Sequence, residues 1–215
     1  MYKAVIFDLD GTLLDSLNDI AGVLNYTLAH FGLPQITRGQ AQRYIGNGAR
    51  ELVRLAIGAE NGHRLDEILA YYKEKYAQCD NGHSGLYDGE DEALKTLKRA
   101  GVKLAILSNK PHAAALTAER IFFRGYAFDC VLGQKDGAPL KPDPQAVYAI
   151  ISELGVKKDE CLFVGDGEAD VLTARNAGLD CVSVLWGYRS CEQLKAAGAT
   201  RFAVDFKELV KVVLS

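Results

Sequence analysis

Four carboxylates, two lysines and two hydroxyls stand where short apolar runs of this chain end. Asp8 and Asp10 follow KAVIF (3–7), with Thr12 close behind. Ser108, Asn109 and Lys110 close VKLAILS (102–108), and Lys141 lies in KPDP beyond FDCVLG (128–133). Asp166, Gly167 and Asp170 close ECLFVGD (160–166). Such β-branched and aromatic runs read as buried strands. In open α/β sheets, ligands gather beyond the carboxyl ends of the strands. The sequence therefore predicts all these groups on one sheet edge. Asp8 and Asp10 are two residues apart, which in extended backbone puts both on one side. Clustered carboxylates repel unless a cation or proton intervenes. Asp8, Asp10 and Asp166 together suit Mg²⁺, a hard cation that prefers oxygen and keeps several waters. A strand-end aspartate on its own is an ordinary turn or cap residue; the set is harder to explain that way.

The elements that must position these groups follow from periodicity. After DLDGT, Asp15 or Ser16 can cap a helix running to His30 or Phe31 and stopping at Gly32. Thr37 and Gln40 form a capping box, and Gly46-Asn47-Gly48 interrupts the helical pattern before ARELVRLAI resumes it. Over 64–78, Leu65, Ile68, Leu69, Tyr72 and Tyr76 share one face. Residues 15–82 thus read as helices only. Beyond them strands and helices alternate: a helix to Ala100-Gly101, strand 102–108, helix 112–122, strand 128–133, a helix opened by Pro144, strand 160–166, helix 168–177, strand 180–186 and helices 190–197 and 205–213. Nearly all-apolar strands alternating with helices predict a doubly wound parallel sheet, an α/β fold. A helical block this long is no ordinary crossover. The expected organisation is a catalytic core of 1–14 and 83–215 with a small all-helical cap domain inserted at 15–82.

DLDGT (8–12), the strand-end Ser108, Lys141 in KPDP and GDGEAD (165–170) resemble the four signature motifs of the haloacid dehalogenase superfamily, in order and at compatible spacing. The resemblance spans essentially the whole chain, and the helical block sits where the first type of cap in that family is inserted. It implies a Rossmann-like core and a Mg²⁺-dependent phosphatase acting on a small phosphomonoester through an aspartyl-phosphate. Asp8 would be the nucleophile. Asp10 would be general acid and then general base. Lys141 would offset charge on Asp8 and the phosphate. Ser108 and the Asn109 amide would hold phosphoryl oxygens. The metal would be held by Asp8, the main-chain carbonyl of Asp10 and Asp166, with Asp170 supporting its water shell. Thr12 would orient Asp10 by a hydrogen bond or close the turn, and Lys110 would approach the phosphate or lie solvated. Gly167 stands where relatives often carry serine or threonine, which bears on metal affinity.

The segment YIGNGARELVRLAIG (44–58) resembles the matching loop and helix of phosphoglycolate phosphatases. A helix starting near Ala49 would aim backbone N–H groups at an anion. Asn47 and Arg50 are its candidate substrate contacts, Arg50 by a bidentate grip on a carboxylate. Asp10 argues against dehalogenation, since true dehalogenases lack that second aspartate. SLNDIAGVLN lacks the His and Lys of a hexose-phosphate mutase, which argues against a sugar-phosphate phosphotransferase or phosphomutase; that reading is the alternative, beside a pyrophosphatase or nucleotidase. Trp186, Gly187 and Tyr188 either shape the phosphate-side loop or pack the core. The chain has 215 residues, 48% hydrophobic and 25% charged, at net charge −3. That balance carries no basic stripe for nucleic acid. No apolar run suits a membrane span. Five cysteines show no zinc or redox spacing, and Cys130, Cys161 and Cys181, in or beside apolar runs, read as buried, reduced thiols. A cytoplasmic monomer or homodimer is expected.

Overall fold

The computed structural model describes residues 1–126 and 128–215. In chain order the elements are β1 (Ala4–Phe7), β2 (Leu14–Asp15), α1 (Leu17–His30), α2 (Arg38–Tyr44), α3 (Gly48–Ile57), α4 (Leu65–Ala77), β3 (Gly85–Leu86), α5 (Glu90–Arg99), β4 (Lys103–Pro111), α6 (His112–Phe122), β5 (Cys130–Gln134), α7 (Gln145–Leu154), β6 (Cys161–Gly165), α8 (Glu168–Ala177), β7 (Asp180–Val184), α9 (Cys191–Ala196), β8 (Phe202–Ala203) and α10 (Phe206–Leu214).

Six strands form one parallel sheet in the order β5-β4-β1-β6-β7-β8. The chain winds outward from β1 in both directions, so β4 and β6 flank it. Their carboxyl ends bound the crevice where such folds bind ligands. Strand alternation sorts the two faces. Val5, Phe7, Leu104, Ile106 and Val164 pack with α5, α6 and α10. Ala4, Ile6, Ala105, Leu107 and Phe163 pack with α7 and α8 on the opposite face. This is the doubly wound sheet that the alternating pattern predicted. The edge strand β8 is an addition, two residues in a stretch that carries no strand-length apolar run.

α1 to α4 bury their own cluster, including Leu24, Leu28, Leu52, Val53, Ile68 and Tyr72. Tyr188, from the loop after β7, joins it. The chain enters and leaves this helical block side by side. There β2 and β3 pair antiparallel, Leu14 opposite Leu86 and Asp15 opposite Gly85. Pairs this short carry no periodicity to read in a sequence. The Thr37–Gln40 capping box forms as expected. Ser16 does occupy the N-cap position of α1, yet its side chain makes no cap bond; its hydroxyl is engaged at the site instead.

Candidate active site

The expected strand-end groups converge. Asp8 leaves β1 with its Oδ1 accepting the Leu9 N–H at 2.7 Å and lying 2.8 Å from Lys141 Nζ. Lys141 also reaches Asp170 Oδ1 at 2.6 Å. Asp166 follows β6, and Asp170 lies in the first turn of α8, its Oδ2 accepting the Gly167 N–H at 2.9 Å. Asp8, Asp166 and Asp170 each place a carboxylate oxygen within 4.8 Å of the others, and all three are buried. Two glycines make the close approach feasible. Gly11 has φ +90°, and a Cβ there or at Gly187 would strike Asp166.

One ammonium faces three carboxylates in this nest. Burial, then Asp170, raises the Asp8 carboxyl to about 8 despite Lys141. Burial and Asp170 likewise raise Asp166 to about 7, against the bonds it accepts from Tyr188 and Thr12. Burial acts to depress the Lys141 ammonium, but Asp170 and Asp8 hold it above its ordinary value. The surplus negative charge calls for a cation, and an all-oxygen donor set suits a hard one. The residues therefore fit Mg²⁺.

Asp10 lies beside this nest. Its Oδ1 accepts from Ser16 Oγ at 2.5 Å and from Lys110 Nζ at 2.7 Å. Lys110 is buried, not solvated, and also donates to the Tyr76 hydroxyl at 2.5 Å, its ammonium 4.9 Å from the centre of that ring. Asp8, Asp10, Ser108, Asn109 and Lys110 line a cavity of about 50 Å³ roofed by the helical block. At 10–15 Å³ for one water-sized position, the cavity holds roughly four such positions.

Three of the expected residues make other contacts with protein. Thr12 does not bond Asp10; its hydroxyl donates to Asp166 Oδ1 at 2.9 Å, because the turn through Gly11 carries it toward β6. The Asn109 side-chain amide is committed to protein, donating to the carbonyls of Gly46 and Lys141 while its oxygen accepts the Lys141 N–H. Arg50 faces outward on α3, 60% exposed and paired with Asp66 at 2.7 Å, and does not line the cavity. Asn47 precedes α3 and faces the carboxylate nest beside Gly167 and Arg189.

Four residues outside the motifs also shape the site: Ser16, Tyr76, Tyr188 and Arg189. The Tyr188 N–H donates to Asp166 Oδ2 at 2.7 Å, and its hydroxyl accepts the Ser16 N–H at 3.0 Å. Trp186 Nε1 donates to the Thr12 carbonyl. The loop after β7 thus shapes the site, while Trp186 and Tyr188 also pack into the apolar clusters, so both sequence readings of this loop hold. Arg189 joins Glu168 at 2.8 Å and donates to the carbonyls of Gln42 and Ile45 on the helical block. An apolar strand followed by polar and aromatic residues at the active edge was the only signal in the sequence for this loop.

The haloacid dehalogenase-like hydrolase family model matches residues 5–184. The chain belongs to that family. It is 33% identical over 214 residues to phosphoglycolate phosphatase 1 of Pseudomonas aeruginosa, covering 97% of this chain and 78% of that one. It is 34% identical over 220 residues to the phosphoglycolate phosphatase of Mannheimia succiniciproducens, covering 99% and 98%. A crystal structure from Lactobacillus delbrueckii subsp. bulgaricus superposes at TM-score 0.91 and 31% identity, covering 99% of this chain and 98% of that one. A hydrolase from Pseudomonas syringae superposes at TM-score 0.75 and 28% identity, covering 98% and 97%. The chain is accordingly a phosphoric monoester hydrolase, as its motifs imply.

Proposed function

We propose that this enzyme hydrolyses a short phosphomonoester, phosphoglycolate first among them, through an aspartyl-phosphate on Asp8, with Mg²⁺ as cofactor. The observation that carries the proposal is the anchoring of Asp8. Its Oδ1 is held by the Leu9 N–H and Lys141, which leaves Oδ2 as the attacking oxygen. Asp10, held on Oδ1 by Ser16 and Lys110, keeps Oδ2 for proton exchange. In the first step Asp8 Oδ2 attacks phosphorus in line while Asp10 protonates the departing alkoxide. In the second, Asp10 takes a proton from water as that water attacks the phosphoryl group on Asp8, releasing inorganic phosphate. Ser108, at the wall of the same cavity, supplies a hydroxyl to the phosphoryl oxygens. Asp8 and Asp166 would hold Mg²⁺, with Asp170 supporting it and the Asp10 carbonyl as a further ligand. The bound cation supplies charge neutralisation between the nucleophile and the phosphate, so the two anions can meet.

The helical block at 15–82 serves as a cap, and the core comprises 1–14 and 83–215. Supporting this division is the separate apolar cluster of the block. The block covers one side of the cavity and so limits the access of bulk water to the reacting atoms. Among the described residues no helix is long and apolar enough to cross a membrane, and all five cysteines are free. A cytoplasmic site of action fits the free thiols.

The test is release of inorganic phosphate from phosphoglycolate, sugar phosphates, nucleotides and pyrophosphate, with and without Mg²⁺. Asp8→Asn is expected to lower kcat by at least about 10³-fold. Release that continues in Asp8→Asn would overturn the covalent mechanism.

A further inference from the structure

Lys110 is the second lysine of the site, and holding Asp10 occupies only one of its three N–H groups. It is 5% exposed, a severe place for an ammonium without partners. Of its three N–H groups, one serves Asp10 and one the Tyr76 hydroxyl. The third has no acceptor among the described residues. The Tyr76 oxygen accepts from Lys110, and among the described residues its own proton likewise has no acceptor. Both residues line the cavity beside Asp8.

Most of the rest of that wall is apolar where the helical block contributes to it: Ile20, Ile45, Ala49, Leu52 and the ring of Tyr72, with the backbone of Gly46 and Gly48 between them. Among the described residues lining this cavity, Lys110 is the one cation. Arg50, the cation expected there, is on the surface with Asp66. Beyond the phosphate-side groups Asp8, Asp10, Ser108 and Asn109, the polar side chains that a leaving group meets in this cavity are Lys110, Tyr76 and Tyr72, and Lys110 alone among them carries positive charge. An apolar wall discriminates weakly, by methylene-sized steps, whereas buried donors left unpaired reject a ligand that lacks the matching acceptor.

We propose that Lys110, braced by Tyr76 from the helical block, reads a carboxylate in the leaving group, so that preferred substrates are short phosphate esters bearing a second negative charge. This rests on the hydrolase reading above and assigns the residue pair that sets its substrate class. Tyr76 comes from α4 and Lys110 from β4. The pair therefore assembles only when the helical block is seated on the core, and recognition of the acid is tied to the seated state.

The experiment compares kcat/KM for phosphoglycolate and for ethyl phosphate, whose leaving group has the same length but no charge. Both are measured with Mg²⁺ in the wild type, Lys110→Met and Tyr76→Phe. The wild type is expected to favour phosphoglycolate. Lys110→Met is expected to lower the ratio of the two kcat/KM values by about 10- to 100-fold, the range for one hydrogen bond to a charged group. Tyr76→Phe, which keeps the ring, should lower the same ratio at least threefold, roughly one neutral hydrogen bond. A ratio that falls less than tenfold in Lys110→Met overturns the proposal. If Lys110→Met fails to fold, an unchanged ratio in Tyr76→Phe overturns it. Absence of Mg²⁺-dependent release from both esters in the wild type overturns the hydrolase reading instead, so the two failures are distinguishable.

Discussion

Asp166 is aimed by two hydrogen bonds, one from the Thr12 hydroxyl and one from the Tyr188 main-chain N–H. Neither donor reaches the substrate, yet both set where the carboxylate points. Removing partners of this kind typically costs 10- to 100-fold in metal affinity. Thr12→Val keeps the side-chain shape in a fully buried position but leaves Asp166 Oδ1 without its donor. It is expected to raise the Mg²⁺ concentration for half-maximal activity by about 10- to 100-fold, with kcat at saturating Mg²⁺ changed much less. A Mg²⁺ titration that overlays the wild type would remove Thr12 from this role. At this scale the sequence was generous with residue types and poor on pairings. A strand-end aspartate announces itself locally. Which carboxylate a hydroxyl meets is decided by a strand 154 residues away. Ser16 illustrates the same limit: its spacing marks a helix cap, and its hydroxyl bonds Asp10.

Among elements, the consequential join lies between α2 and the loop after β7. The Arg189 guanidinium accounts for the carbonyls of Gln42 and Ile45 at the carboxyl end of α2 while holding Glu168. Those carbonyls lie at a helix end, where acceptors lack intrahelical partners and a cation is favoured. Gln42 returns a bond to the Tyr188 carbonyl at 2.8 Å. The same two-residue stretch, Tyr188-Arg189, thus aims Asp166 and fastens the helical block. Arg189→Met should loosen the block without unfolding the core. Amide exchange across 42–50 is expected to accelerate at least about tenfold, equivalent to roughly 1.4 kcal/mol of local opening. Exchange in β1 and β6 should stay at the wild-type rate. Equal acceleration everywhere would mean that Arg189 supports global stability and not the join. Nothing in the sequence pattern singles out Arg189, because on the helical block its partners are backbone carbonyls, which every residue carries, and Glu168 lies on a separate element.

On the scale of the whole molecule, the sheet and its helices were legible because apolar runs of strand length alternate with helical periodicity over the entire core. The two-residue pairs β2–β3 and β7–β8 were not, since their register comes from what surrounds them. One buried group ties this core to pH. Glu90 opens α5 just after the chain returns from the helical block, and it is fully buried. Its Oε2 accepts the Tyr87 N–H at 3.3 Å, while Oε1 has no partner among the described residues. Burial raises its carboxyl to about 9 from 4.5. Between those values the folded chain holds a proton that the unfolded chain has released. Stability must then fall as pH rises through that window, by at most about 1.4 kcal/mol per unit. Asp8 and Asp166 are raised as well and act with the same sign, so the comparison is made with saturating Mg²⁺ in every sample. Glu90→Gln has nearly the same shape and no charge to bury. It is expected to match the wild type near pH 5 and to unfold at progressively higher denaturant concentration than the wild type from pH 6 to 9. Parallel stability curves for the two proteins across that range would show that Glu90 stays ionised in the fold, with water reaching Oε1.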